Sequence, residues 1–293
     1  MPIRLMENFR AIFYAPFYAT HTLGFYAREG LDVELRTSDA PGDAVPKLLD
    51  GSVDVTWGGP MRVMKARDQD PASPLVCFGE VVSRDPFFLI GRRELAPFRL
   101  TDLSQMRFAS VAEVPTPWMC LQHDLRLAGL DPASLTRISD RTMDENYAAL
   151  RAGEIDVMQA FEPYASLAAK DGAGSVLYAA SSRGPTVYTA FIAERHAVAR
   201  QRDAIAAMTR ATAKMEQWLY SHPPEELADA TTSFFPSVPR DILVSSLRRY
   251  RDAGLWARDP AMSQEGFHRL AQSLHSGGFI GRMPSYDACV DKN

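Results

Sequence analysis

Two distant stretches of this chain spell out the same local plan, and that repetition limits what the chain can fold into. Leu48-Leu49-Asp50-Gly51-Ser52-Val53-Asp54-Val55 and Leu150-Arg151-Ala152-Gly153-Glu154-Ile155-Asp156-Val157 each read as a helix end, a glycine turn, an acidic residue and a strand. In α/β proteins such a unit carries the C-terminal end of its strand to a loop, the edge where ligands bind. Two copies point to two similar lobes.

The rest of the chain fits that plan, alternating short apolar runs with helical periodicity. Ile3 to Met6 reads as a strand, Tyr14 to Glu29 as a helix stopped by Gly30, and Leu31 to Leu35 as a second strand. Glycine ends a helix well because it takes positive φ at little cost. Val53 to Trp57, Leu75 to Val82 and Phe87 to Ile90 complete a first set of strands, with Met61 to Arg67 a helix among them. Phe108 to Val111, Arg137 to Ser139, Ile155 to Ala160 and Val176 to Tyr178 form a second set, with helices over Trp118 to Ala128 and Met143 to Arg151. After a last strand at Thr186 to Ala193 the pattern is helical to the end, and these helices need a sheet to pack on. The expected architecture is therefore a two-lobed α/β fold: residues 1–88 and 187–293 form lobe one, 89–186 form lobe two, the chain crosses twice, and the helical tail packs on lobe one. The 293 residues suffice for two domains of ordinary size.

Composition removes several classes of function. A net charge of −4 argues against a nucleic-acid partner. No run approaches the ~18 apolar residues of a membrane span. The three cysteines, Cys77, Cys120 and Cys289, have no metal-ligand spacing and are expected as free thiols. No metal or cofactor is expected. The six histidines fall in no catalytic motif, and neither a P-loop nor a nucleophile elbow is present. His123 shares a helix with Cys120, and the two could line a cleft, but His123 is read first as a surface or satisfied core residue.

Several ordered blocks carry a resemblance. Gly24-Phe25-Tyr26-Ala27-Arg28-Glu29-Gly30-Leu31-Asp32-Val33, the two repeated units, Asp102-Leu103, and Phe161-Glu162-Pro163-Tyr164 follow one another as in the nitrate, sulfonate, taurine and thiamine-pyrimidine branch of substrate-binding proteins. The resemblance covers roughly residues 1–195. It implies a type II periplasmic-binding-protein fold with two hinge crossings, a small-molecule ligand in the cleft, and an ABC-transporter membrane component as partner. It implies a periplasmic location if a signal peptide has been trimmed, and a cytoplasmic one otherwise, since Met1-Pro2-Ile3-Arg4-Leu5 opens without a secretory signal. The alternative is a cytoplasmic enzyme of the same fold, a lyase, decarboxylase or thiamine-pyrimidine relative. The cysteine-dense motif of the pyrimidine synthases is absent, and no lysine offers a convincing match. A ligand-sensing regulatory module is a third class, but it would normally carry an output domain.

The expected ligand contacts lie on loops after strands. Asn8, Phe9 and Phe13 follow the first strand. Trp57, Gly58 and Gly59 end another, where glycine permits close backbone approach. Thr116 is expected as an N-cap, with Pro117 and Trp118 opening a helix whose N-terminus suits an anion. Phe161, Glu162 and Tyr164 offer stacking and a hydrogen-bond acceptor. Arg183 offers a bidentate grip on a carboxylate. The alternative for each is ordinary packing, capping or a solvated charge. The expected ligand is a small anion, carboxylate or sulfonate first and pyrimidine-like second, held by a monomer.

Overall fold

A computed structural model describes residues 2–292 apart from 39, 93, 94 and 96. Its strands are β1 (Ile3–Met6), β2 (Val33–Arg36), β3 (Val55–Gly58), β4 (Leu75–Val82), β5 (Phe88–Gly91), β6 (Phe108–Ala109), β7 (Arg137–Ile138), β8 (Val157–Ala160), β9 (Ser175–Ala179) and β10 (Thr189–Glu194). They form two five-stranded sheets, ordered β2-β1-β3-β10-β4 and β7-β6-β8-β5-β9. Each sheet has a parallel trio, and its fourth position holds a strand antiparallel to both neighbours. In each case that strand adjoins a crossing: β5 follows the first and β10 follows the second.

The helices are α1 (Ala15–Thr22), α2 (Phe25–Arg28), α3 (Ala44–Leu49), α4 (Met61–Gln69), α5 (Thr116–Leu127), α6 (Met143–Ala152), α7 (Tyr164–Asp171), α8 (Arg195–Arg200), α9 (Arg202–Ser221), α10 (Pro224–Thr231), α11 (Arg240–Asp252), α12 (Gln264–Ser276) and α13 (Tyr286–Cys289). The single helix expected from Tyr14 to Glu29 is divided. A 3₁₀ turn over Ile12–Tyr14 precedes α1, and Gly24 at φ 74° breaks α1 from α2. Gly30 does stop the second piece, at φ 75°.

The repeated units have one physical purpose in both lobes. In the first, Arg4 donates from its backbone N–H and Nε to Asp54 Oδ2 at 2.8 and 2.9 Å, and from Nη2 to the Gly51 carbonyl at 2.7 Å. In the second, Arg107 makes the same bonds to Asp156 Oδ2 at 2.9 and 3.0 Å and to the Gly153 carbonyl at 2.9 Å. An arginine at the start of the central strand thus clamps the turn leading into its neighbour. Each glycine sits at positive φ, as the tight turn demands.

Alternation buries both faces of the first sheet. On β4, Val76 and Phe78 face one apolar cluster, while Leu75 and Cys77 face another. The tail packs on lobe one through α9, α10 and α13, but α11 also packs on α7 and α12 on α5. Two tail helices therefore reach over to the second sheet's side. No described helix is long and apolar enough to cross a membrane.

Candidate functional site

The loop ends of both sheets meet around a cavity of about 210 Å³. The segment after β1 contributes Asn8, Phe9, Phe13 and Tyr14; the turn after β3 contributes Gly59, Met61 and Arg62. From the other side come Val114, Pro115 and Thr116, which lead into α5. Phe87 and Tyr188, one from each crossing, line the back, and Phe279 enters from the tail. The N-termini of α4 and α5 both border the space, so two helix dipoles place partial positive charge there.

Arg62 is the residue that sets the chemistry. It occupies the first turn of α4, directly after the Gly58-Gly59-Pro60 turn. Among the described residues no carboxylate pairs with its guanidinium. Burial lowers its pKa, and Tyr14 is the one neighbour that opposes this. Gly42 makes room for it: a Cβ there would stand 2.7 Å from Arg62 Nη1. A cation taken partly out of water without a partner is costly, and an anion in the cavity would remove that cost.

The walls are aromatic. The Phe13 ring lies 4.3 Å from that of Tyr14 and 6.3 Å from that of Tyr188, edge to face. Asn8 donates to the Tyr14 hydroxyl at 3.4 Å and accepts from the Gly42 N–H at 3.1 Å, so its amide braces the wall. Burial pushes the Tyr14 phenol up to about 12, with Asn8 pulling the other way, and it stays neutral and able to donate. Gly59 allows close approach, since a Cβ would sit 3.3 Å from Met61 Cγ and 3.5 Å from the Tyr188 carbonyl.

Of the residues singled out by sequence, Asn8, Phe9, Phe13, Gly59 and Thr116 reach this cavity. Thr116 is the first residue of α5 rather than its cap, and the N-cap is Pro115. The others lie elsewhere. Trp57 is fully buried and stacks on Phe17 at 4.7 Å, because strand alternation turns it to the sheet face under α1. Gly58 stands behind Asn8 and Arg62. The buried Pro117 accepts from Gln159 through its carbonyl at 2.9 Å. Trp118, about 200° round the helix from Thr116, packs inside lobe two with Arg137 4.3 Å over its ring.

Phe161 packs edge to face against Phe13 and Phe87 and faces a separate groove of about 600 Å³ with Glu162 and Tyr164. Glu162 is fully buried, and its carboxylate accepts from the Ser166 N–H and hydroxyl at 2.9 Å and from Arg249 Nε at 2.7 Å. Tyr164 donates to Asp144 at 2.7 Å. Arg183 does grip a carboxylate through two nitrogens, but that carboxylate is Asp124 of α5, and Asp85 pairs with its third nitrogen at 2.7 Å. Cys120 is buried, its thiol pushed up to about 12 by desolvation. His123 stands 3.2 Å from Ser276 between α5 and α12, away from the cavity.

Sequence reading passed over Tyr14, Arg62, Phe87, Tyr188 and Phe279. Arg62 was signalled by its place just past the double-glycine turn. Phe87 and Tyr188 were legible as crossing residues, though not as facing one space. Phe279 carried no signal, because the other residues that line the cavity are far from it in the chain.

Comparison with known proteins gives the family and the fold. The profile described as NMT1/THI5 like matches residues 12–226. The chain is 25% identical over 292 residues to YtlA of Bacillus subtilis (strain 168), covering 99% of this chain and 87% of that protein, which carries a provisional binding-protein name. The periplasmic aliphatic sulphonate binding protein SsuA from Escherichia coli has the same fold at TM-score 0.79 and 16% identity, over 99% of this chain and 92% of that one. The ligand-binding component of an ABC-type import system from Staphylococcus aureus follows at TM-score 0.75 and 16% identity, over 99% and 96%. The chain therefore belongs to the NMT1/THI5-like family and has the two-sheet α/β fold of periplasmic binding proteins.

Proposed function

We propose that this chain is a substrate-binding protein that encloses a small organic anion between its lobes and delivers it to an ABC importer. The observation that carries this reading is the unpaired Arg62 guanidinium at the wall of an aromatic cavity, beside two helix N-termini. Arginine suits a carboxylate or sulfonate, whose oxygens accept its fork of N–H groups. The rings of Phe9, Phe13 and Tyr188 suit an apolar or flat remainder. A cavity of about 210 Å³ holds roughly seven waters' share of liquid volume, which fits a small molecule.

The names of the related proteins support the same class: SsuA is named for aliphatic sulphonates and the staphylococcal protein for ABC-type import. An extracytoplasmic place of work belongs to the same proposal. So do the ligand contacts Asn8, Phe9, Phe13, Gly59 and Thr116, joined by Tyr14 and Arg62. Residues 1–88 with 187–293 move as one lobe and 89–186 as the other, although Phe88 at that boundary already pairs with Ala160 in the second sheet. The proposal takes the carrier as a monomer.

Native mass spectrometry of gently purified protein identifies the cargo, and a thermal-shift series with alkanesulfonates and carboxylates ranks it. A ligand at 100 times its Kd should add about 2.7 kcal/mol of stability. Arg62→Gln should remove most of that gain and weaken binding at least ~10-fold, since a hydrogen bond to a charged group contributes ~1.5–3 kcal/mol. An undiminished shift in Arg62→Gln overturns the site. Conversion of a panel member to product overturns the carrier reading in favour of an enzyme.

A further inference from the structure

All three thiols are buried, and two of them are neighbours across a strand edge. Cys77 lies on β4, the edge strand of the first sheet, and Cys289 ends α13. The chain leaving α13 sets Val290 opposite Cys77 in a parallel bridge. The Asp291 N–H then donates to the Cys77 carbonyl at 2.8 Å. Adjacent strands run about 4.8 Å apart and rise ~3.3 Å per residue. Cys289 closes a helix and stands one ~3.8 Å Cα step from Val290, so its Cα lies at most ~9 Å from that of Cys77, and a shift of a few ångström at most brings the pair into the ~4.4–6.8 Å that a disulfide spans. Both side chains are fully buried in the same apolar cluster as Leu75 and Val290. The two thiols also lie near enough that Cys289 raises the pKa of Cys77.

We infer that Cys77 and Cys289 form an oxidisable pair, a staple that ties the C-terminal segment to the sheet edge under disulfide-forming conditions. The reaction is exchange with a small disulfide. The Cys289 thiol gives up its proton and its sulfur attacks the reagent, releasing one thiolate and leaving a mixed disulfide. The Cys77 sulfur then displaces the second thiolate. Two protein thiols are oxidised, and one small disulfide is reduced to two thiols.

Burial sets the kinetics. It pushes the Cys289 thiol up to about 11 and that of Cys77 upward as well, so the reactive thiolate is scarce while the segment stays docked. Exchange therefore waits for α13 to detach. It has four residues, too short a helix to hold together apart from its packing, so its local opening costs little. Closure is slow under native conditions and faster in mild denaturant.

The test uses the full chain with oxidised glutathione, with and without urea below the unfolding transition. The expected product has lost two hydrogens by intact mass, and its non-reducing peptide map joins the Cys77 and Cys289 peptides. Its Tm is raised, and dithiothreitol reverses the change. Cys289→Ala abolishes the cross-link and the Tm gain, whereas Cys120→Ala keeps both. An unchanged mass, glutathione adducts that never resolve, or cross-links that use Cys120 as often overturn the inference. The wild-type peptide map decides the matter even if a variant folds poorly.

Discussion

Glu216 is fully buried on α9, and among the described residues neither of its carboxylate oxygens has a hydrogen-bond partner. Burial, with Asp259 and Glu80 nearby, pushes its pKa from an ordinary 4.5 up to about 9. Burial likewise raises Glu80 to about 7, against a hydrogen bond from the Ser263 N–H. The folded state thus holds protons that the unfolded chain releases near its ordinary carboxylate pKa. The stability from Glu216's protonation is fully present below about pH 4.5 and is lost as pH rises through about 9. Unfolding free energies from urea titrations across that range should fall with pH in the wild type, by on the order of a few kcal/mol. Glu216→Gln should flatten much of the slope and be the more stable protein at the alkaline end. An identical slope in the variant contradicts this assignment. In the sequence Glu216 looks like an ordinary helix glutamate, because periodicity gives the helix but not the depth of packing at one position.

At the scale of elements, the two crossings are locked by one buried arginine. Arg183 on the second crossing pairs with Asp85 on the first and with Asp124 on α5, all nearly inaccessible. Tyr178 donates to Asp124 at 2.8 Å, and Arg84 donates to the Ser181 carbonyl across the crossings at 3.0 Å. The helix whose N-terminus borders the cavity is thereby tied to the strands about which the lobes would move. Breaking a buried ion pair from one side leaves charge uncompensated. Arg183→Ala should therefore cost about 3–5 kcal/mol in a denaturant titration, and a loss below about 1 kcal/mol, as expected of a solvated pair, would contradict the account. The sequence showed an arginine beside Gly184-Pro185 near a crossing and offered ligand or solvent as its partner. The protein's own carboxylates were missed because Asp85, Asp124 and Arg183 are far apart in the chain.

For the whole molecule, the question is how far the lobes separate. Lys170 of α7 pairs with Asp241 of α11 at 2.6 Å, Arg249 of α11 pairs with Glu162 at 2.7 Å, and α12 lies on α5. These contacts brace the junction from the tail and oppose wide opening. A ligand that contacts both lobes selects the closed form to the extent that it binds that form better. Small-angle scattering should show a radius of gyration that shrinks on adding the alkanesulfonate that gives the largest thermal shift. Arg62→Gln should show no change at the same concentration. Equal contraction in both proteins would detach closure from Arg62.

The sequence by itself determined the two-sheet α/β plan and most of its elements, and missed the break of the first helix at Gly24. Those features are local: a period of two or of 3.6, a glycine at a turn, and a Gly-x-x-Asp unit beside a strand. It found Asn8, Phe9, Phe13, Gly59 and Thr116 because they lie on the segments that lead from a strand into the next helix. Only the tertiary structure decided which neighbouring side chains face the cavity. Trp57 turns to the sheet face, Trp118 to the far side of its helix, and Glu162 toward Arg249. Only it showed that Arg183 has carboxylate partners while, among the described residues, Arg62 has none. Facing and pairing depend on contacts between segments far apart in the chain, and no local pattern encodes them.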